Sequence, residues 1–250
     1  MPTTKLNKIK NFLTENQEWN TKFQLLEYRS ILLPHKDSLS KLNAMLHAVA
    51  NTQSQPNLDD LSNFWQHFHK KTQGKLSLSL EELSTVLEEP FQPERPFFSI
   101  YQGLRTWPGW GEKTAALFVK NVIKIHAASD KSLHFLSDAT KHATQLQSSD
   151  EINLPVDAVI IHIFREHINL GKSPSVKNIN RVLQAHCKHR SEMMLWDDLW
   201  FWGFITQRTY GQRRVTEWNP AKFWSQFSHD KQRETEVKKL AGHFIRLLEA

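Results

Sequence analysis

The chain has 250 residues, with 32 Lys and Arg against 26 Asp and Glu, a formal net charge of +6 and a pI of about 9.3. That length suits one large domain or two closely packed lobes, and the modest basic excess admits a polyanion as partner without identifying one. The single cysteine, Cys187, excludes an intramolecular disulfide and a cysteine-ligated iron–sulfur cluster.

Apolar residues recur mostly at spacings of three and four, few segments alternate with period two, and there are only 8 Gly, so the expected fold is all-α. The spacing predicts helices over 5–14 and 19–32, the second stopped by Pro34, then one over 38–50 with Leu39, Leu42, Leu46 and Val49 inward. A polar loop, 51–57, leads to a helix that Asp59 or Asp60 is placed to cap, with Leu61, Phe64, Trp65 and Phe68 as its stripe. Ser79 and Glu82 have the spacing of a capping box for a helix over 80–88, and a Pro-rich break over 89–96 follows. Next comes a helix over 97–106 with Phe98, Tyr101, Leu104 and Trp107 at helical spacing, a turn, and a strongly apolar helix over 112–125. Beyond it the pattern predicts an amphipathic helix over 130–146, a loop over 147–153, and helices over 158–168, 175–187 and 191–206. The last holds MMLWDDLWFWGFI, too short and too charged to span a membrane; it reads as a core helix whose Asp197 and Asp198 face something polar. A basic loop over 207–214 precedes helices over 220–227 and 231–248. No internal repeat or low-complexity tail is visible. No N-terminal apolar run suits a signal peptide, so a cytoplasmic, nucleoid-associated location and no membrane partner are expected.

The turn Trp107-Pro108-Gly109-Trp110-Gly111 organises the chain. Pro108 fixes one φ, and both glycines can take positive φ, so the backbone reverses within a few residues. N–H groups around Gly109 and Gly111, together with the start of the next helix, form a concave donor set that suits a phosphate. Lys113 lies in the first turn of that helix, where the helix dipole and apolar neighbours both disfavour an ammonium.

The string WPGWGEKTAA resembles the hairpin of the helix-hairpin-helix DNA glycosylases, the superfamily of endonuclease III, with Lys113 on the catalytic lysine. Leu154-Pro155-Val156-Asp157 resembles the motif that carries that superfamily's catalytic aspartate at the start of a helix. The ordered pair is far more specific than either word alone. Within the superfamily the chain is most similar to the archaeal GO glycosylases, which remove 8-oxoguanine and cut the abasic strand. The resemblance implies a single glycosylase domain over 1–250 made of two helical lobes, with the helix-hairpin-helix at 97–125, the aspartate helix starting at 157, and the active site in the cleft between the lobes. It implies a flipped-out nucleotide in DNA as substrate and a monomeric enzyme. No cofactor is required for the chemistry, although a structural monovalent ion at the hairpin fits the family.

The same resemblance assigns roles. Lys113 is the nucleophile, Asp157 its electrostatic and proton-shuttling partner, and Gly109, Trp110 and Gly111 bind the DNA backbone. Asp198 accepts from the base, Trp202 stacks on it, Trp65 donates its indole N–H, and Gln24 is a further polar contact. The chain departs from the archaeal pattern at Leu117, where an aromatic is expected and Phe118 stands beside it, and at Asn51, where a small serine is expected. These departures leave the sugar chemistry intact and alter the base pocket, so another altered base, including a hypermodified base of phage DNA, stays open.

Each residue also has a plainer reading. Asp157 is placed to be a helix N-cap, Lys113 an exposed first-turn lysine, and Trp196, Trp200 and Trp202 core residues. The hairpin alone would serve as a backbone anchor in a non-catalytic DNA-binding protein. His186, Cys187 and His189 lack a second ligand pair, which argues against zinc. Arg208, Arg213 and Arg214 suit either a solvated loop or a phosphate contact.

Overall fold

A computed structural model describes residues 2–227 and 230–250. Fourteen α-helices and one two-stranded sheet lie among them. In chain order they are α1 Pro2–Glu15, α2 Gln17–Leu32, α3 Ser38–Ala50, α4 Leu58–Thr72, α5 Leu80–Val86, α6 Pro96–Thr106, α7 Glu112–Ala127, α8 Ala139–Thr144, α9 Ala158–Glu166, α10 Val176–Ala185, α11 Met193–Trp196, α12 Asp198–Ile205, β1 Gln207–Tyr210, β2 Arg213–Thr216, α13 Pro220–Gln226 and α14 Glu234–Glu249. The fold is mostly helical, as the periodicity requires. The chain falls into two compact units: a central one, Leu25–Pro155 with His189–Ser191, and a terminal one made of the chain through Gln24, Val156–Lys188 and the chain from Glu192 on.

In the central unit α7 is the hub. It packs on α3, α6 and α8 and is buried along most of its length: Ala115, Phe118, Val119, Val122 and Ile125 are its apolar part, and Lys120, Asn121 and His126 are buried with them. Leu42, Leu46, Phe64, Phe68, Leu83, Ile100 and Leu104 are among the other core residues, and each such side chain contributes roughly 1.5–3 kcal/mol by leaving water. Local signals set the helix starts. Asp37 caps α3, and the Ser79–Glu82 capping box forms in both directions. Asn57, rather than Asp59 or Asp60, caps α4, since its side chain alone reaches the Asp60 N–H while the two acids already lie inside the first turn. The N-terminus of α6 is capped from far along the chain: buried Asp150 accepts from the Phe97 and Phe98 N–H groups. The inward stripe of α6 is Phe97, Ile100, Tyr101 and Leu104; Phe98 instead lies half-buried beneath the Arg95 guanidinium, 3.9 Å from its ring centre.

The helix expected over 130–146 does not form as one piece. Asp130 caps a single turn of 3-10 helix, Leu136 bridges to Leu78, and only Ala139–Thr144 is α-helical. Fully buried His126 redirects the chain. Its Nε2 accepts from the Phe135 and Leu136 N–H groups, so the proton sits on Nδ1 and faces Thr140 Oγ1 at 3.4 Å. Thr140 in turn donates to His134 Nδ1 at 3.1 Å, and His134 Nε2 donates to the Ala128 carbonyl at 3.2 Å. A helix through 135 and 136 would leave that buried imidazole without donors.

In the terminal unit α12 is apolar on nearly every side, and Leu199, Phe201, Trp202 and Ile205 are all buried. Trp202 meets Phe12 of α1 edge-on at 5.0 Å and Phe244 of α14 at 6.3 Å. The segment expected as one helix over 191–206 is a 3-10 turn followed by α11 and α12, interrupted at Asp197, which keeps helical angles. The basic loop expected over 207–214 is an antiparallel hairpin with Gln207 opposite Thr216 and Gly211 in its turn. Gln207 fixes it by donating to the Val159 carbonyl of α9 and accepting from Arg214. Among the described residues no helix is long and apolar enough to cross a membrane.

Candidate active site

The reversal between α6 and α7 is closed by the Trp110 N–H on the Trp107 carbonyl at 3.1 Å, and the Trp107 indole donates to the Leu87 carbonyl. Gly109 has φ +84°, where a side chain is strained, and a Cβ there would also stand 3.1 Å from Leu61. Gly111 does not take the expected positive φ; it is extended, at φ −101° and ψ 175°, and nothing lies within 4 Å of the place a Cβ would occupy. It is the N-cap of α7, and a glycine has no side chain with which to cap. Thr114 reaches back to accept from the Gly111 N–H at 2.9 Å, so that group is engaged rather than open as expected. What stays without a side-chain cap is the first turn of α7 itself, at the positive end of a sixteen-residue helix.

Lys113 stands in that turn, half-buried, with Nζ 3.4 Å from the Thr52 carbonyl. The loop holding Thr52 is tied to the hairpin by Gln53, whose amide donates to the Gly109 carbonyl at 3.0 Å. The central unit therefore gathers Lys113, Gly109, Gly111 and the residues just after α3. Exposed Asn51 is the C-cap of α3, and Leu117 is half-buried one turn beyond Lys113. Phe118 is wholly buried, so it belongs to the core and not to a base pocket. Trp110, expected at the DNA backbone, is 4 % exposed and packs on Phe64 at 5.1 Å; its apolar bulk anchors the hairpin from inside. Trp65 is half-buried and stacks on His47, with ring centres 3.6 Å apart and planes 12° apart. Burial, and then the charge of His69, lowers the pKa of His47, which favours a neutral ring against the indole. Two hairpin carbonyls, those of Trp107 and Gly109, accept hydrogen bonds from the Trp110 N–H and the Gln53 amide.

In the terminal unit Asp157 is the N-cap of α9. One carboxylate oxygen accepts from the Val159 and Ile160 N–H groups at 2.9 and 3.1 Å. The other accepts from the Trp200 indole at 3.0 Å. Trp200 is held by two rings nearly parallel to it, Phe204 at 5.0 Å and Phe23 at 6.1 Å. The two helices can approach this closely because α12 has Gly203 where it crosses α9; a Cβ there would stand 2.6 Å from Val159. The carboxylate is thus fixed by three N–H donors, and the plain N-cap reading of Asp157 holds as well.

Other expected pocket residues lie elsewhere. Trp202 has no exposed surface, which rules it out as a stacking platform in this arrangement. Asp198 is 2 % exposed and accepts from Asn20, while Asp197 accepts from Gln24 at 2.6 Å. The two acids do face polar partners, but these are amides of α2 one turn apart, and they lower the cost of burying the carboxylates. The i, i+4 amides Asn20 and Gln24 opposite adjacent aspartates were a readable sign; Trp200 as the partner of Asp157 had none in the sequence. The His186 ring and the Cys187 thiol engage carbonyls at the end of α10, those of Val182 and Leu183. Among the described residues no group of three or more His, Cys, Asp or Glu is arranged to hold a metal ion. Comparison of the chain with protein-family models, with curated proteins and with solved structures yields no match.

Proposed function

We propose that the protein is a bifunctional DNA glycosylase and abasic-site lyase of the helix-hairpin-helix kind, excising an altered base, with oxidised guanine the leading candidate. The observation that carries this reading is the hairpin. A left-handed Gly109 and a side-chain-free Gly111 open the first turn of α7 to an anion, and Lys113 stands in that turn. Asp157, fixed by two backbone donors and an indole, supports it as a carboxylate of defined orientation.

In the proposed reaction a nucleotide is extruded from the duplex, with DNA phosphates held at the α7 N-terminus. Lys113 Nζ, as the free amine, bonds to C1′ while the C1′–N bond breaks and its electron pair leaves with the base, which takes up a proton. Negative charge on Asp157 stabilises the cationic sugar of the transition state. The resulting ammonium gives one proton to solvent, the nitrogen lone pair breaks the C1′–O4′ bond, and O4′ takes up a proton, leaving a protonated imine; loss of a C2′ proton to solvent then breaks the C3′–O bond, whose electron pair leaves with the 3′ phosphate.

The engagement of Asp157 as a helix cap favours a second reading, a non-catalytic protein that grips DNA phosphates through the hairpin. A panel of oligonucleotides, each carrying one altered base, separates the two. The enzyme releases one of these bases and nicks the strand, Lys113→Gln loses both, and Asp157→Asn loses base release. Binding to every oligonucleotide with no base released from any would leave only the anchor.

A further inference from the structure

The terminal unit holds a solvent-open cavity of about 380 Å³ that the proposed reaction does not use. Its walls are the C-terminal half of α9, the hairpin turn with β2, and Glu249 near the end of α14. Two histidines converge there on one hydroxyl: His162 Nε2 and His167 Nε2 lie 3.2 and 2.9 Å from Thr216 Oγ1. His162 is 4 % exposed, and its Nδ1 has no hydrogen-bond partner. A hydroxyl has one proton to donate, so it cannot serve both rings as donor, and at least one imidazole N–H is directed at this cluster.

The charges around the cavity are unevenly matched. Arg165 and Glu166 pair with each other at 2.6 Å and largely cancel. Arg214 donates to the neutral amide of Gln207, and among the described residues neither it nor Arg213 has a carboxylate at salt-bridge distance. Glu249 is the one remaining acid of the wall. Two guanidinium forks, a hydroxyl and imidazole N–H groups make a wall rich in donors and poor in acceptors. Guanidinium forks match tetrahedral oxyanions, repel cations and have little to offer an apolar ligand.

We propose that this cavity binds a phosphate group. The inference stands apart from the glycosylase reading, since none of its residues has a part in the base-excision chemistry.

The test uses the intact protein and inorganic phosphate, followed through the ring signals of His162 and His167 by NMR, with sodium chloride at matched ionic strength as the control. Phosphate is expected to move both rings saturably, and chloride is not. In Arg213→Gln/Arg214→Gln the affinity falls at least about tenfold, the scale of one lost charge-assisted bond, while circular dichroism stays unchanged. No saturable shift, the same shift with chloride, or undiminished affinity in the folded double variant would each overturn the proposal. A second titration, with an unmodified DNA duplex added to the phosphate-loaded protein, identifies the source. Displacement of phosphate assigns the cavity to a DNA phosphodiester; retention of phosphate beside bound DNA assigns it to a free phosphate or phosphate-bearing small molecule.

Discussion

Two glycines of the hairpin look alike in the string WPGWG and do different physical work. Gly109 is constrained from both directions, by φ +84° and by Leu61 3.1 Å from any added Cβ. Gly109→Ala should therefore cost on the order of 1–3 kcal/mol of stability. Gly111 is extended with open space beside it, so Gly111→Ala should leave the melting temperature nearly unchanged and, on the proposed reading, weaken DNA binding, because the methyl would occupy the place proposed for the anion. Thermal melts and a DNA titration of both variants check the pair, and a Gly111→Ala protein that binds DNA as the parent does would remove the hairpin from the site. Trp200 is the residue that reasoning from the string could not reach, since one indole among nine gives no sign that it points at a carboxylate. Trp200→Phe keeps an aromatic ring beside Phe23 and Phe204 and deletes the N–H with the rest of the five-membered ring. It should cost about 0.5–1.5 kcal/mol of stability and, on the proposed reaction, slow base release with little change in DNA affinity. Single-turnover assays separate that outcome from a general loss of packing. At this scale the turn at Gly109 and the helix cap at Asp157 were legible because short words carried them. Trp110 and Trp202 were misplaced because an aromatic suits a pocket and a core equally well, and only packing partners such as Phe64 and Phe12 decide between them.

Elements were readable wherever the cause was local. The Ser79 capping box, the glycine-bounded turn and the apolar face of α7 all follow from neighbours in sequence. The helix expected over 130–146 failed because the groups that undo it are distant: His126 draws the 135 and 136 N–H groups away, and Leu78 takes the bridge to Leu136. The basic 207–214 segment became a hairpin for a related reason, since Gln207 is fixed by Val159 of another helix. The His126 network predicts a pH dependence. Burial, with the charge of His134 second, lowers the His126 pKa from 6.5 to about 3 in the folded protein. The unfolded chain therefore binds more protons between those values, so the stabilisation is complete above about 6.5 and is lost as pH falls toward 3. His162, lowered to about 4 by burial first, acts in the same direction over an overlapping window. Urea titrations from about pH 7 down to pH 4 should show stability falling by a few kcal/mol, with a shallower fall in His126→Gln. A curve as steep in that variant as in the parent would place the effect elsewhere.

For the whole molecule, composition sets a net charge of +6 and periodicity most of the helix order, but neither gives the grouping of the chain into units. The terminal unit is assembled from three segments with the central unit between them in sequence, and long-range packing of that kind leaves no mark on local spacing. The two residues on which the proposed chemistry depends are divided accordingly, Asp157 in the terminal unit and Lys113 in the central one. The most direct measurement is borohydride trapping of the intact protein on DNA carrying an abasic site or an altered base, followed by mass-spectrometric mapping of the adduct. A covalent adduct on Lys113, absent in Lys113→Gln, is the predicted result; an adduct on another residue, or none with any such DNA, contradicts the account.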